Sequence, residues 1–384
     1  MRVSAPRLLV DGRLTGPGAV EVSAGRIVAV HDRPVGAAGP DDVQLATGVL
    51  VPGLVDLQVN GAFGCDLADA PAHEWQAVAR SLPATGVTSW QPTLITAPLE
   101  RLEQGLAVAR AVADAADPSG ARMLGVHLEG PFLSPARAGV HDVAQMCDPE
   151  PATVTRLLEA GGGLVTMVTL APERPGGIEA VATLAQAGVC VSVGHSDATA
   201  DVVAAAADAG ARAVTHVFNA QRGLHHREPG VAGRALVDER LAVGLIADLH
   251  HVSADVCRLV LTAACGRVVL VTDAMAAAGM PDGDYLLGGQ QVHVRRGRPP
   301  QRADGTIAGS ALLLDQAVRN VVGLGVPVEQ ALDAASRVPA DALRRPDLGR
   351  LAPGAVADLL WLSDDLVPLR TWVAGREVWA AARS

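Results

Sequence analysis

Eight short β-prone runs alternate with Ala- and Leu-rich stretches of helical length, and this alternation limits the fold more than any other feature of the chain. The runs fall at 54–60, 87–91, 123–128, 164–170, 189–193, 213–217, 242–247 and 268–272. Helical stretches at 99–113, 150–160, 199–209 and 253–264 lie between several of them. Strands that alternate with helices imply βαβ units and a parallel sheet. Eight such units over about 250 residues predict a closed (β/α)8 barrel of the TIM type. A doubly wound open sheet is the alternative, but no G-x-G-x-x-G follows the first run.

The two ends read differently. Short β-prone runs at 8–10, 20–22 and 26–30 are separated by Asp-Gly, Gly-Pro-Gly and Ala-Gly turns. The tail has similar runs at 357–362 and 369–373, and Ala374-Gly375-Arg376 suits a hairpin turn. Neither end alone could form a stable sheet. Residues 1–49 and 350–384 are therefore expected to pair into one small β-sandwich domain beside a barrel spanning 50–349. Residues 279–306 break the regularity and read as a loop or hairpin inserted after the eighth strand.

Composition removes several mechanisms. All 31 basic residues are arginine, so a lysine Schiff base, a P-loop lysine and a carbamylated-lysine metal bridge are excluded. Apolar residues make up 49% of the chain but aromatics only 2%, so the core must be built mostly from Ala, Val and Leu. The net charge of −10 disfavours nucleic acid as a partner. No apolar run approaches the ~20 residues that span a membrane. The first ten residues lack the apolar stretch and small-residue cleavage site of a signal peptide. Cys65, Cys147, Cys190, Cys257 and Cys265 are widely spaced and odd in number, and read as reduced core thiols of a cytoplasmic protein.

In a barrel of this kind the working residues gather at the C-terminal ends of several strands. Glu129 follows the third run, His195 the fifth and Asp273 the eighth, while His216 lies near the end of the sixth. Two imidazoles and a carboxylate with open positions make a hydrolytic zinc site, and other divalent ions use similar ligands. A bound divalent ion can lower the pKa of water to about 7. Asp273 would sit nearby, able to accept that water's proton and return it to a leaving group. The structural alternatives are a turn at His195 with Asp197 or Thr199 capping the next helix, a paired loop carboxylate at Glu129 and a helix cap at Asp273. Joint placement after separate strands favours the metal site. His127 reads as packing or support, His225-His226 as a solvated loop, and His31, His73 and His293 as structural or exposed. Arg227 is a surface ion pair or an anion clamp, and His250-His251 after the seventh run has a plausible binding role.

The strings Pro52-Gly53-Leu54-Val55-Asp56, His127-Leu128-Glu129-Gly130-Pro131, Gly194-His195-Ser196, 215–220 (THVFNA), Arg227-Glu228-Pro229-Gly230, Thr272-Asp273-Ala274 and Ala308-Gly309-Ser310 occur in order over most of the chain. Together they resemble the N-acetylglucosamine-6-phosphate deacetylase family of the amidohydrolase superfamily. The resemblance implies Glu129, His195 and His216 as metal ligands and Asp273 as the proton-transferring residue. It places His141 against the acetyl carbonyl, where it would stabilise developing negative charge. It also implies Val140, Asn219, Ala220, Ile307, Ala308 and Gly309 around the sugar, His251 and Arg227 on the phosphate, and a homodimer whose second subunit completes the phosphate pocket. Many superfamily members open the barrel with His-x-His, which binds a second metal. Here that position reads Gln58-Val59-Asn60, so the expectation is one ion per subunit, zinc before iron or another divalent ion.

The expected reaction is hydrolysis of N-acetylglucosamine 6-phosphate to glucosamine 6-phosphate and acetate. The alternatives are a deacetylase for the galactosamine epimer, another amidohydrolase, and a sugar-phosphate-binding protein without the chemistry.

Overall fold

The computed structural model describes residues 1–33, 39–295 and 297–382. Its centre is a barrel of eight parallel strands: β1 (Leu54–Val59), β2 (Val87–Ile95), β3 (Val126–Glu129), β4 (Val165–Leu170), β5 (Cys190–Val193), β6 (Ala213–Val214), β7 (Ala242–Ile246) and β8 (Val268–Val271). Each is followed by a helix: α1 (Ala72–Ser81), α2 (Leu99–Ala115), α3 (Pro151–Gly161), α4 (Gly177–Gln186), α5 (Ala200–Ala209), α6 (Gly230–Val237), α7 (Ala254–Ala263) and α8 (Leu314–Gly323). Strand residues are buried nearly throughout, as expected where helices cover the outside and side chains fill the inside. Val, Leu and Ala dominate this core, and each fully buried Val or Leu contributes about 1.5–3 kcal/mol.

The ladder runs in order from β1 to β8 but stops short of a full ring. Between β8 and β1 a single bridge, Val59 to Ala274, replaces a ladder. The buried Asp56 carboxylate does much of the stitching there, accepting Thr272 Oγ1 at 2.7 Å and Thr272 N at 3.3 Å. Burial pushes the Asp56 carboxyl up to about 6, although hydrogen bonds from Thr272 and Gln58 pull the other way.

The chain ends build two further sheets. The four-stranded one comprises Arg2–Ala5, Gly18–Ser23, Arg26–His31 and Val43–Gln44. The six-stranded one joins Leu8–Val10, Arg13–Thr15 and Val49–Pro52 to Leu359–Leu362, Pro368–Val373 and Arg376–Ala380. Val3, Val20, Ile27, Leu50, Leu359 and Trp372 form the apolar layer of this β-sandwich. The insertion after β8 is a hairpin, β9 (Gly283–Leu287) and β10 (Gln290–Val294), tied to the barrel by Gln290 Nε2 donating to Val140 O at 3.0 Å.

Three strand boundaries differ from expectation. β2 runs on through Pro92 to Ile95. Met123 belongs with Arg122 to a separate two-residue strand against β2, so β3 starts at Val126 and ends with Glu129 inside it. β6 stops at Val214, leaving His216 beyond the strand. Cysteine burial also needs correction: all five thiols are free, but only Cys190 and Cys257 are buried, Cys65 and Cys147 are half-buried, and Cys265 is exposed. No helix among the described residues is long and apolar enough to cross a membrane.

Candidate active site

At the C-terminal mouth of the barrel the structure brings together Glu129, His141, His195, His216, His251 and Asp273, around a cavity of about 150 Å³. Val140, Asn219, Ala220, Ile307 and Gly309 line the same cavity. Two expected residues lie elsewhere. Ala308 is buried against the hairpin rather than facing the cavity, and Arg227 is exposed on the loop before α6.

The backbone aims these groups with unusual conformations. His195, His216 and Asp273 have φ of 47°, 26° and 50°, a region that non-glycine residues rarely occupy and that concentrates at functional sites. Gly194 allows the close approach at the end of β5, because a Cβ there would lie 2.7 Å from Thr169 Cγ2 and 2.8 Å from Thr215 Cβ. Thr199 caps α5 through Val202 N, as one structural alternative anticipated, and His195 is still turned into the cavity.

Glu129 is the hub. His216 Nε2 lies 2.9 Å and His195 Nε2 3.2 Å from the same oxygen, Oε1, and His141 Nε2 is 4.0 Å from Oε2. Burial alone would raise the Glu129 carboxyl, but the two imidazoles hold it well below the usual carboxylate range. Donor atoms of Glu129, His141 and His195 all lie within 4.8 Å of one another, the separation that a single ion spans.

The hydrogen bonds at the far side of each ring hold these histidines in place. His195 Nδ1 donates to Arg137 O at 3.0 Å, and a carbonyl can only accept, so Nε2 is the nitrogen left to face Glu129. His141 Nδ1 lies 2.9 Å from Thr96 Oγ1 and 3.3 Å from Thr96 N, so the ring is anchored just past the end of β2. Burial, helped by His195, pushes His141 down to about 3, so the ring is neutral. His216 presents Nε2 to Glu129, while its buried Nδ1 has no partner among the described residues. Two ligand-type imidazole nitrogens meeting at one carboxylate oxygen fit a divalent cation of the zinc type.

Asp273 stands beside this cluster. Its Oδ1 accepts Asn60 Nδ2 at 2.7 Å and Gln58 Nε2 at 3.1 Å. Burial, reinforced by the Glu129 charge, pushes its carboxyl up to about 6.

Beneath the cavity lies a polar floor. Ser192 Oγ, Thr215 Oγ1, Thr169 Oγ1 and His127 Nε2 follow one another at 2.6, 2.7 and 2.7 Å, and His127 Nδ1 reaches Leu57 O at 3.1 Å. Because Leu57 O only accepts, His127 Nδ1 carries the proton and each hydroxyl donates toward the ring. His127 is thus a buried support, pushed down to about 4 chiefly by burial.

Sequence reasoning missed Ile95, Ile246 and Leu287 on the cavity wall, and Thr96, Arg137 and Asp248 behind it. Ile95 and Ile246 end β2 and β7, so strand-end position would have found them. Asp248 accepts both His250 N and His251 N at 2.9 Å through Oδ1, and His251 Nδ1 at 2.7 Å through Oδ2. His225 and His226 are exposed, as expected of a solvated loop.

Known proteins resemble this chain over most of its length. Residues 49–378 match the model of the amidohydrolase family. The chain is 38% identical over 347 residues to an N-acetylglucosamine-6-phosphate deacetylase of Vibrio furnissii, spanning 90% of this chain and 86% of the relative. It is 37% identical over 374 residues to an N-acetylgalactosamine-6-phosphate deacetylase of Escherichia coli O157:H7, spanning 97% of each. A solved structure of a mutant N-acetyl-D-glucosamine-6-phosphate deacetylase from Mycobacterium smegmatis, in complex with N-acetyl-D-glucosamine-6-phosphate, superposes with a TM-score of 0.92. That pair is 38% identical, and the match covers 98% of this chain and 99% of the other.

Proposed function

The chain belongs to the amidohydrolase family, and from that membership and the geometry of its site we infer that it hydrolyses N-acetylglucosamine 6-phosphate to glucosamine 6-phosphate and acetate. The observation that carries the reading is the meeting of Glu129, His195, His216 and Asp273, from four separate strand ends, in one cavity.

Glu129, His195 and His216 would hold the divalent ion. Such an ion polarises an acyl oxygen and lowers the pKa of a bound water to about 7. The protein supplies the rest. His141 would donate from Nε2 to the acetyl oxygen as it gains charge, and a preorganised donor there favours the transition state over the substrate. Asp273 accepts the proton of the attacking water. Its Oδ1 is already taken by two amide donors that cannot accept, so Oδ2 is the oxygen left to carry the proton. The carboxyl, raised by burial, then returns that proton to the departing amine.

One ion per subunit suits the site. The Gln58 amide bridges Glu129 Oε1 and Asp273 Oδ1, each at 3.1 Å, and so fills the space that a second cation between the carboxylates would need. Zinc fits this carboxylate and imidazole set, with ferrous iron the nearest rival. His251 would bind the phosphate, supported by Asp248. Arg227 is exposed on a loop that also exposes Leu224 and does not line this cavity, and a homodimer would let it serve the phosphate of a second copy. Five free thiols suit a reducing, cytoplasmic setting.

The similarity to a galactosamine-epimer deacetylase keeps that epimer as a second substrate. The deciding experiment is acetate release from both acetamido sugars, each with and without the 6-phosphate, on protein whose metal content has been measured. Fast release only from 6-phosphorylated sugars, at one ion per chain, is the expected result. Absence of acetate from either phosphorylated sugar would leave a binding protein.

A further inference from the structure

Asn60 follows β1 and is bound at one end only. Its Nδ2 donates to Asp273 Oδ1 at 2.7 Å, while its Oδ1 has no partner among the described residues although Asn60 is 3% exposed and lines the cavity. Buried amide oxygens almost always find a donor. Turning the amide over would not help, because it would set Oδ1 against Asp273 Oδ1, another acceptor. A buried oxygen left over in the wall of a substrate cavity is matched to a donor that arrives with the substrate.

We propose that Asn60 Oδ1 accepts the N–H of the scissile acetamide and so registers the sugar nitrogen against Asp273. The inference rests on the deacetylase reading above. A trans secondary amide points its N–H and its C=O in opposite directions. The site has a matching polarity. His141, which the deacetylase reading sets against the carbonyl oxygen, approaches Glu129 Oε2, whereas Asn60 sits with Asp273 and Gln58 on the side of Glu129 Oε1.

With its N–H held by Asn60, the nitrogen of the tetrahedral intermediate turns its lone pair toward Asp273 Oδ2. The proton moves from Oδ2 to nitrogen. The C–N bond then breaks with its electron pair going to nitrogen, and the carbon re-forms its carbonyl as acetic acid. The amine leaves with its original hydrogen still on Asn60, and Asp273 returns to the carboxylate. Asn60 is thus a catalytic residue by contact with the substrate nitrogen as well as a positioning residue for Asp273.

The test compares two acyl substrates on the metal-loaded protein. One is the acetamide of glucosamine 6-phosphate; the other is the 2-O-acetyl ester of glucose 6-phosphate, which has no N–H. Asn60→Ala is expected to lower kcat/KM for the amide about 100-fold, the usual scale for one lost preorganised hydrogen bond, and to lower the ester rate only a few-fold. Equal losses on both substrates would overturn the proposal and reduce Asn60 to a support for Asp273. The near-isosteric Asn60→Leu gives the same comparison should the smaller residue lower the melting temperature. If the wild-type protein released no acetate from the amide, the deacetylase reading itself would fall, a different outcome from equal losses.

Discussion

Gln58 donates through Nε2 to Asp273 Oδ1 at 3.1 Å, and Asn60 adds a second, shorter bond to the same oxygen. Asp273 is therefore held in a fixed orientation before any substrate arrives, with Oδ2 the oxygen that the proposed proton transfer would use. Preorganisation of this kind removes a reorientation cost from the proton-transfer step.

Asp273→Asn keeps the shape and removes the base, so kcat is expected to drop about 10³-fold, within the range for losing a general acid–base group. Metal content should stay at the wild-type value. For the wild-type protein, the carboxyl sits at about 6 and must be ionised to accept the first proton, so kcat/KM should fall as pH drops through that value. A variant that kept normal turnover would remove Asp273 from the mechanism.

Asp56 predicts a pH dependence of stability rather than of rate. Its carboxyl is raised in the folded state, from an unfolded value of 3.8 to about 6. The protonated form is thus favoured by folding. Its contribution is complete below pH 4 and is lost as pH rises toward 6. The loss amounts to about 3 kcal/mol at 1.36 kcal/mol per unit. Asp56→Asn should flatten this part of the curve, read by denaturant unfolding at a series of pH values. Parallel curves for the two proteins would contradict it.

Asp248 commits three hydrogen bonds to the His250–His251 turn. Burial would raise its carboxyl, but the His251 ring and the backbone N–H groups hold it below the usual range. With Nδ1 held by Asp248, Nε2 is the His251 nitrogen left to meet a phosphate. Asp248→Asn should raise KM for the phosphorylated sugar about 10-fold, the scale seen when a supporting partner is lost, and leave rates on the free sugar little changed. Equal effects on both sugars would show that the turn merely needs Asp248 to fold.

The barrel was legible because hydrophobic alternation is local information, written afresh in every βα unit. Glu129, His195, His216 and Asp273 were legible because topology sends the end of each strand to one mouth. Strand limits were less so. Pro92 stays within β2, and β6 shrinks to two residues because the backbone turns at His216 to aim its ring. Thr96, Arg137 and Asp248 act on a histidine through contacts that tertiary packing alone creates, and Arg137 does so with its carbonyl, which any residue would offer. Burial of the cysteines misled for a related reason: Cys265 follows α7 at the end of the barrel away from the cavity, and nothing covers it.

Leu50 near one end of the chain pairs with Trp361 near the other, in adjacent antiparallel strands. On the ribosome the strand Val49–Pro52 lacks its neighbour Leu359–Leu362 until almost the whole polypeptide has emerged, so the catalytic barrel can assemble while the six-stranded sheet is still incomplete. Nascent chains arrested before residue 359 would carry unpaired sheet edges and should be the ones that chaperones retain.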